Sequence, residues 1–349
     1  MLAVPPERAA GLREALDRLL AARHVVLTTH LNADGDGAGS ETAVAAWLEG
    51  RGIRASILNP TRFPDPFRFL LHRPEVVVEW EEGKGRAVEK TLDGADLFLV
   101  LDTSEAPRLA GLAQRLPPER TLVIDHHPPG PSVVGSFAVQ DPTAAATGEL
   151  VYDLIRLAGD PLQPQVAAGI YVAIVTDTGS FRYSNTSPRA HAIAAELLQY
   201  GVDPEAMYRR LFATYPRRRI DLLREALGAL ESDPRAPVAW ITLTDALVRA
   251  TGATVEDIEG LIEYPRSIEG TEVALLFREL PDGLTKISFR SNGNADVNRV
   301  ARQFGGGGHV KAAGATVPGL PSEVVPRVLA TVREALPATQ APSQASPSR

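Results

Sequence analysis

The sequence predicts an α/β protein with a parallel-sheet domain in the N-terminal part of the chain and a smaller α/β domain after it. Apolar, β-rich runs at 25–29, 53–58, 96–101 and 121–124 alternate with stretches whose apolar residues recur at helical spacing. That alternation belongs to strands joined by crossover helices in a parallel sheet. The first, third and fourth runs also stop abruptly in acids and imidazoles. They lead into His30-Leu31-Asn32-Ala33-Asp34-Gly35-Asp36-Gly37, Asp102-Thr103-Ser104 and Asp125-His126-His127-Pro128-Pro129. The carboxyl ends of parallel strands are where open α/β sheets bind their ligands.

In chain order, 12–20 has the apolar spacing of a helix and 25–29 is the first strand. The spacing predicts a helix over 37–49 with Ala43, Val44, Trp47 and Leu48 as its buried face, a strand over 53–58 and a short helical piece over 67–71. Strands over 96–101 and 121–124 follow, then helices over 143–157 and 164–175, the second running into Asp177-Thr178-Gly179. Further helix covers 188–200 and 217–230. The turn residues Ser232-Asp233-Pro234-Arg235-Ala236-Pro237 mark the expected domain boundary. Beyond it, 238–243 and 272–280 read as strands, and Pro281-Asp282-Gly283 turns the chain into a strand over 284–290. Asp296 caps a helix carrying Val297, Val300, Ala301 and Phe304. The expected organisation is a catalytic domain over 1–200, a helical linker over 201–235, a substrate-binding domain over 236–336 and a disordered tail of Pro, Ala, Ser and Gln over 337–349.

Composition narrows the function. The 349 residues are 44% apolar and 23% charged, as in ordinary globular proteins. There is no cysteine, which excludes disulfide frameworks, thiolate zinc sites and cysteine nucleophiles. No apolar run approaches membrane-spanning length, and 1–23 is a charged amphipathic helix pattern rather than a signal peptide, so a cytoplasmic location is expected. The formal charge of −7 argues against a broad basic track for long nucleic acid. It is compatible with a short anionic substrate held at a metal.

The candidate ligands are His30, Asp34, Asp36, Asp102, Asp125, His126, His127 and Asp177. Imidazoles and carboxylates without thiolates suit manganese, magnesium or zinc. Several carboxylates in one low-dielectric crevice repel one another unless cations neutralise them, and two divalent ions balance four such charges. Paired metals of that kind promote displacement at phosphorus, so the set points to phosphoester hydrolysis. Taken singly, Asp102 is better explained as a helix cap, and capping accounts for Asp177 equally well; their joint occurrence favours chemistry. The run Gly305-Gly306-Gly307-Gly308-His309 is open to two readings, a flexible loop or a backbone N–H edge for an anion. Arg290 alone is more often a solvated strand-end charge, and its position two residues before the polar Asn-Gly loop favours neither that reading nor a phosphate contact. Tyr215-Pro216-Arg217-Arg218-Arg219 reads as the solvated start of a helix, and His24, His72 and His191 as core or surface residues.

His30-x-x-x-Asp34-x-Asp36, Asp102 after a strand, Asp125-His126-His127 and Asp177, in that order, resemble the motifs of the DHH phosphoesterase superfamily. Gly305-Gly306-Gly307-Gly308-His309-x-x-Ala312-Ala313-Gly314 is similar to the signature of its DHH-associated C-terminal domain. The resemblance runs from the first strand to about Leu336 and is strongest to the compact two-domain nanoRNases. These oligoribonucleases also act as phosphatases on 3′-phosphoadenosine 5′-phosphate (pAp). It implies a manganese ion on His30, Asp34 and Asp102 and a second on Asp36, Asp102, His126 and Asp177, with magnesium or cobalt as alternatives. It further implies that Asp125 orients its neighbours, that His127 contacts the scissile phosphate, and that Arg290, Ser291, Gly306, Gly307, Gly308 and His309 grip phosphate and ribose. The implied substrates are short RNA oligonucleotides and pAp, with linear dinucleotides as a further class; a homodimer is an expectation without a supporting pattern. The alternatives are a RecJ-like single-strand exonuclease, a cyclic-dinucleotide phosphodiesterase and, from another class, a nucleotide-binding regulatory module.

Overall fold

A computed structural model of the protein describes residues 2–80 and 85–336. The expected tail, 337–349, lies outside the described residues. The chain divides into two compact units, Met1–Thr214 and Tyr215–Arg349.

The first unit contains α1 (Pro6–Ala21), β1 (His24–Thr28), α2 (Gly35–Gly50), β2 (Arg54–Ile57), α3 (Arg86–Asp93), β3 (Leu97–Leu101), β4 (Thr121–Asp125), β5 (Phe137–Gln140), α4 (Thr147–Leu157), α5 (Pro164–Asp177), α6 (Pro188–Leu198) and α7 (Pro204–Phe212). Its strands form one parallel sheet in the order β2-β1-β3-β4-β5. The inner strands are buried on both faces, which is why they read as continuous apolar runs rather than alternating ones. Side chains alternate between two cores: Leu27, Leu99, Leu101 and Ile124 pack under α1, α2, α4 and α5, while Val26, Phe98, Val100 and Val123 meet Val88, Leu92, Leu109 and Leu112 on the other side.

Two differences from the sequence reading bear on the site. Helix α2 has no single buried face, since Gly35 through Leu48 are all buried. Small residues allow this: a Cβ on Gly39 would lie 2.5 Å from the carbonyl oxygen of Gly169 on α5, and the reciprocal distance is 2.6 Å. The two helices therefore touch backbone to backbone beneath the ligands. The helix expected from residue 143 starts at Thr147, leaving 141–146 as a connection between β5 and α4.

The second unit contains α8 (Arg217–Gly228), β6 (Leu230–Ser232), β7 (Val238–Leu243), α9 (Asp245–Thr251), α10 (Val255–Ile258), α11 (Glu263–Arg266), β8 (Val273–Leu280), β9 (Leu284–Ser291), α12 (Val297–Gln303), β10 (Gly307–His309), β11 (Ala312–Pro318) and α13 (Pro321–Ala335). The sheet order is β10-β11-β9-β8-β7-β6, with β7 and β8 parallel and the other pairs antiparallel. The segment 201–235, expected as a linker, is divided between the units: α7 belongs to the first, whereas α8 buries Leu222 and Ala226 against Ile241, Leu243 and Leu276 of the second. The turn at 233–237 joins two neighbouring strands inside that unit. Arg218 bonds Asp257 at 2.6 Å and Arg219 donates to the carbonyls of Glu256 and Glu259. The basic run is thus pinned to the α10 segment, with Arg217 its solvated member.

Candidate metal centre

Each candidate ligand in the first unit sits where a strand or helix ends. His30 follows β1 and is buried; its Nδ1 donates to the Leu31 carbonyl at 2.8 Å, which turns Nε2 towards the acids. Asp34 caps α2, its Oδ1 accepting from the amides of Asp36 and Gly37 at 3.0 and 3.1 Å, while Oδ2 lies 3.6 Å from His30 Nε2. Asp36, in the first turn of α2, accepts from Ser40 Oγ and from the amides of Thr147 and Gly148. Asp102 comes one residue after β3 with φ of +62°, a left-handed conformation that a non-glycine residue keeps only where its surroundings enforce it. Its Oδ2 lies 3.4 Å from His30 Nε2 and its Oδ1 lies 3.6 Å from His126 Nε2. His126 Nδ1 lies 3.4 Å from the Ala144 carbonyl, and its Nε2 also faces Asp36 at 3.7 Å and Asp177, the last residue of α5, at 3.6 Å.

Separations of 3.4–3.7 Å are too long for good hydrogen bonds. They match donors that would each stand about 2.0–2.2 Å from a shared cation. The Nε2 atoms of His30 and His126 are buried without any hydrogen-bond partner, an arrangement that proteins avoid unless the atom has another use. Three sets of ligand atoms converge: His30, Asp34 and Asp102; Asp36, His126 and Asp177; and Asp102, His126 and His127. The donor set therefore fits metal ions.

The electrostatics agree with that fit. Burial pushes the Asp36 carboxyl well above the usual carboxylate range, and repulsion from Asp102, Asp177 and Asp34 adds to it. Burial and the same neighbours raise Asp177 to about 6 against the opposing pull of His126. Burial alone would lower the His30 imidazole, but the neighbouring Asp102 and Asp34 carboxylates raise it to about 10. Cations in the cluster would oppose each of these shifts.

Asp125 belongs to none of the three sets. Its Oδ1 accepts from both the amide (3.0 Å) and Nδ1 (2.8 Å) of His127, and that bond raises the imidazole above its ordinary value. Arg290, Ser291, Gly306, Gly307, Gly308 and His309 all lie in the second unit. Arg290 on β9 stands opposite Ala312 on β11, which stands opposite His309 on β10, so the three strands share one row; the side chain of His309 lies outside the described structure. Ser291 is buried, its hydroxyl near the Gly293 carbonyl at 3.4 Å. The glycine run is therefore the edge of a hairpin. A Cβ on Gly306 would lie 2.1 Å from the Gly314 carbonyl oxygen, too close for any side chain.

Sequence reading missed the groups that hold the ligands. Thr147 donates its amide (2.6 Å) to Asp36 and its hydroxyl (3.0 Å) to Asp102; Gly148 donates its amide (2.9 Å) to Asp36; Asn185 Nδ2 donates to Asp177 Oδ2 at 3.2 Å. A backbone amide leaves no residue-type signal. The only available cue was Thr-Gly at a helix start.

A parallel sheet ending in a cluster able to hold metal ions defines the class, an α/β protein with a metal centre at its strand ends. The family model for the DHH family N-terminal domain matches residues 24–174, and that for the DHHA1 domain matches 242–338. The bifunctional oligoribonuclease and PAP phosphatase NrnA of Thermus thermophilus is 36% identical over 316 residues, covering 89% of this chain and 90% of that protein. Its Bacillus subtilis namesake is 27% identical over 297 residues, covering 84% and 89%. The crystal structure of an exopolyphosphatase-related protein from Bacteroides fragilis matches with a TM-score of 0.86 at 26% identity, covering 93% of this chain and 96% of that one. The chain belongs to the DHH family of phosphoesterases and carries that family's DHHA1 domain.

Proposed function

We propose that this phosphoesterase hydrolyses very short RNA, from dinucleotides to a few nucleotides, to 5′-mononucleotides, and removes the 3′-phosphate of pAp to leave AMP. The observation that carries the reading is the strand-end cluster with its two unpartnered imidazole nitrogens. The substrate class is supported by the names of relatives that match along most of the chain. We assign one divalent ion, manganese by preference, to His30, Asp34 and Asp102, and a second to Asp36, Asp102, His126 and Asp177. Asp102 is the shared ligand, consistent with its two oxygens facing different histidines. When bound, the ions supply Lewis acidity at phosphorus and a water acidic enough to attack at neutral pH.

The other residues bind and orient. Asp125 fixes the His127 ring through Nδ1 and favours its charged form, so Nε2–H can donate to a phosphate oxygen. Thr147, Gly148 and Ser40 hold Asp36 and Asp102 through hydrogen bonds that also fix which oxygen faces which neighbour. In the second unit, Arg290, Ser291 and His309, with the Gly306, Gly307 and Gly308 backbone, are assigned to the phosphate and ribose of the substrate. A net charge of −7 offers little for a long polyanion, which fits substrates of a few nucleotides.

The test is product analysis with manganese on an RNA length series from dinucleotide upward, with pAp in parallel and Asp102→Ala as control. Fast release of mononucleotides from the shortest RNAs and turnover of pAp, both lost in the control, is the expected result. Preference for long single-stranded DNA would reassign the chain to RecJ-like chemistry, and nucleotide binding without turnover would make it a regulatory module.

A further inference from the structure

We propose that residues 141–149 form a bracket around the metal centre, holding Asp36 and Asp102 directly and Asp177 through Asn185, and that Arg8, 133 residues from Asp141 in sequence, is the positioning residue that holds it. The inference rests on the metal-centre reading above. The Ala144 carbonyl stands 3.4 Å from His126 Nδ1, leaving Nε2 to face the acids. The Thr147 and Gly148 amides bond the two oxygens of Asp36, and the Thr147 hydroxyl bonds Asp102 Oδ1. Asn185 Nδ2 is shared between the Ala145 carbonyl at 2.9 Å and Asp177 Oδ2 at 3.2 Å. Together these contacts bear on Asp36, Asp102 and His126 and, through Asn185, on Asp177.

The bracket does not hold itself. Between β5 and α4 it is a tight connection: the Asp141 amide donates to the Asp125 carbonyl, Asp141 Oδ1 accepts from the Thr143 amide and hydroxyl, and the Ala145 amide donates to Glu149 Oε2. Both acids that close these bonds use their remaining oxygen on one guanidinium. Arg8 Nη1 lies 3.0 Å from Asp141 Oδ2 and Nη2 lies 2.6 Å from Glu149 Oε1, with Asp153 Oδ2 at 2.7 Å. Arg8 is 4% exposed, and Arg189 completes the cluster from the opposite side at 3.3 Å from Glu149. The planar guanidinium presents its donors to two carboxylates in a fixed fork. A lysine would supply the charge without that fixed geometry, and a neutral residue would leave Asp141 without its guanidinium and Glu149 and Asp153 to Arg189 alone. Either change frees both ends of 141–149, and with them the donors that set the spacing of the ligand oxygens.

The test titrates metal-stripped protein with Mn²⁺ alone in a calorimeter, without substrate. Four proteins are compared: the parent, Arg8→Gln, Arg8→Lys, and Leu112→Ala, which opens a cavity in the core on the other face of the sheet. Both Arg8 variants should bind Mn²⁺ about tenfold more weakly, the low end for loss of a group supporting metal ligands. The Mn²⁺ concentration for half-maximal turnover should rise by the same factor, with kcat recovering at saturating metal. Leu112→Ala should lower the melting temperature and leave Mn²⁺ affinity unchanged. If Arg8→Gln does not fold, Arg8→Lys, which keeps the charge, decides alone. Parental Mn²⁺ affinity in a folded Arg8 variant would reduce Arg8 to a packing role and overturn the proposal. A parent chain that takes up no Mn²⁺ would overturn the functional reading with it, whereas one that binds Mn²⁺ but leaves short RNA intact would sink that reading alone.

Discussion

Asp141, Glu149 and Asp153 are buried in the N-terminal unit with two guanidinium groups among them, at contacts of 2.6–3.3 Å. Asp34, Asp36, Asp102 and Asp177 gather in the same unit, yet His30, His126 and His127 are their only ion-pair partners among the described residues. Both clusters bear the cost of removing carboxylates from water, and neither could persist uncompensated. The first supplies its cations from the chain. The second leaves the Nε2 atoms of His30 and His126 bare and pushes the Asp36 and Asp177 carboxyls upward, which marks a place that cations from solution could fill. Glu41, one helical turn beyond Asp36, shows a third solution. It is fully buried, accepts one bond from Asn59 at 2.9 Å, has an unpartnered Oε1, and is driven up to about 8 by burial, so the proton itself neutralises it.

The largest expected difference between the clusters is in sign. Asp102→Asn should cost at least about 100-fold in turnover, the upper end for groups that merely support a ligand. The same change removes a like charge from the crowded site, so the metal-free variant should melt no lower than the parent. Arg8→Gln should do the reverse to metal-free stability, costing about 3–5 kcal/mol, because it strands buried acids. Calorimetric melts of the two metal-free variants check this; a matching fall in both would erase the distinction. The next effect is linkage. Mn²⁺ at about 100 times its dissociation constant should add about 2.7 kcal/mol, or about 5–10 °C for a unit of this size. Chelator should remove the rise, and Asp102→Asn should not show it.

The sequence disclosed these clusters unequally, for a physical reason. Strand-end ligands were legible because β1, β3 and β4 are buried on both faces and therefore uninterruptedly apolar, so the polar residue that ends each one stands out. β5 was missed because it is short and mostly half-exposed, with Val139 its only buried residue. The Arg8 cluster was invisible because its members are scattered from the first helix to the sixth, and ordinary helices carry such charges on their surfaces. Thr147 and Gly148 contribute amides, which every residue but proline has. The division near residue 214 was hidden because α8 has a narrow apolar stripe whose partner strand lies beyond the turn that looked like a boundary.

Glu41→Gln sharpens the third case. A carboxyl whose folded value is raised contributes stability that is full below its unfolded value near 4.5 and is lost as pH rises through about 8. Glutamine has the same shape and no such dependence. The variant should lie within about 1 kcal/mol of the parent near pH 5 and gain on it steadily up to pH 8, by thermal melts in chelator. Parallel pH dependence would mean that Glu41 is ionised and has a cation partner.

The smallest effect distinguishes a proton from a metal at one ligand. Asp177 ends α5, where the helix dipole disfavours a negative charge, and burial with its acidic neighbours raises it from 3.8 to about 6. Its stability contribution in the metal-free protein is therefore complete below about pH 4 and is lost as pH rises through about 6. Other carboxylates titrate over part of this range, so the informative quantity is the difference between the parent and Asp177→Asn. In chelator the parent should lose stability relative to the variant between pH 4 and 6. In Mn²⁺ it should gain, because protons and cation compete for the same oxygen and the variant offers the cation a poorer ligand. A difference that keeps one sign in both conditions would place Asp177 outside the metal centre and leave His126 with Asp36 and Asp102 as its only acidic partners.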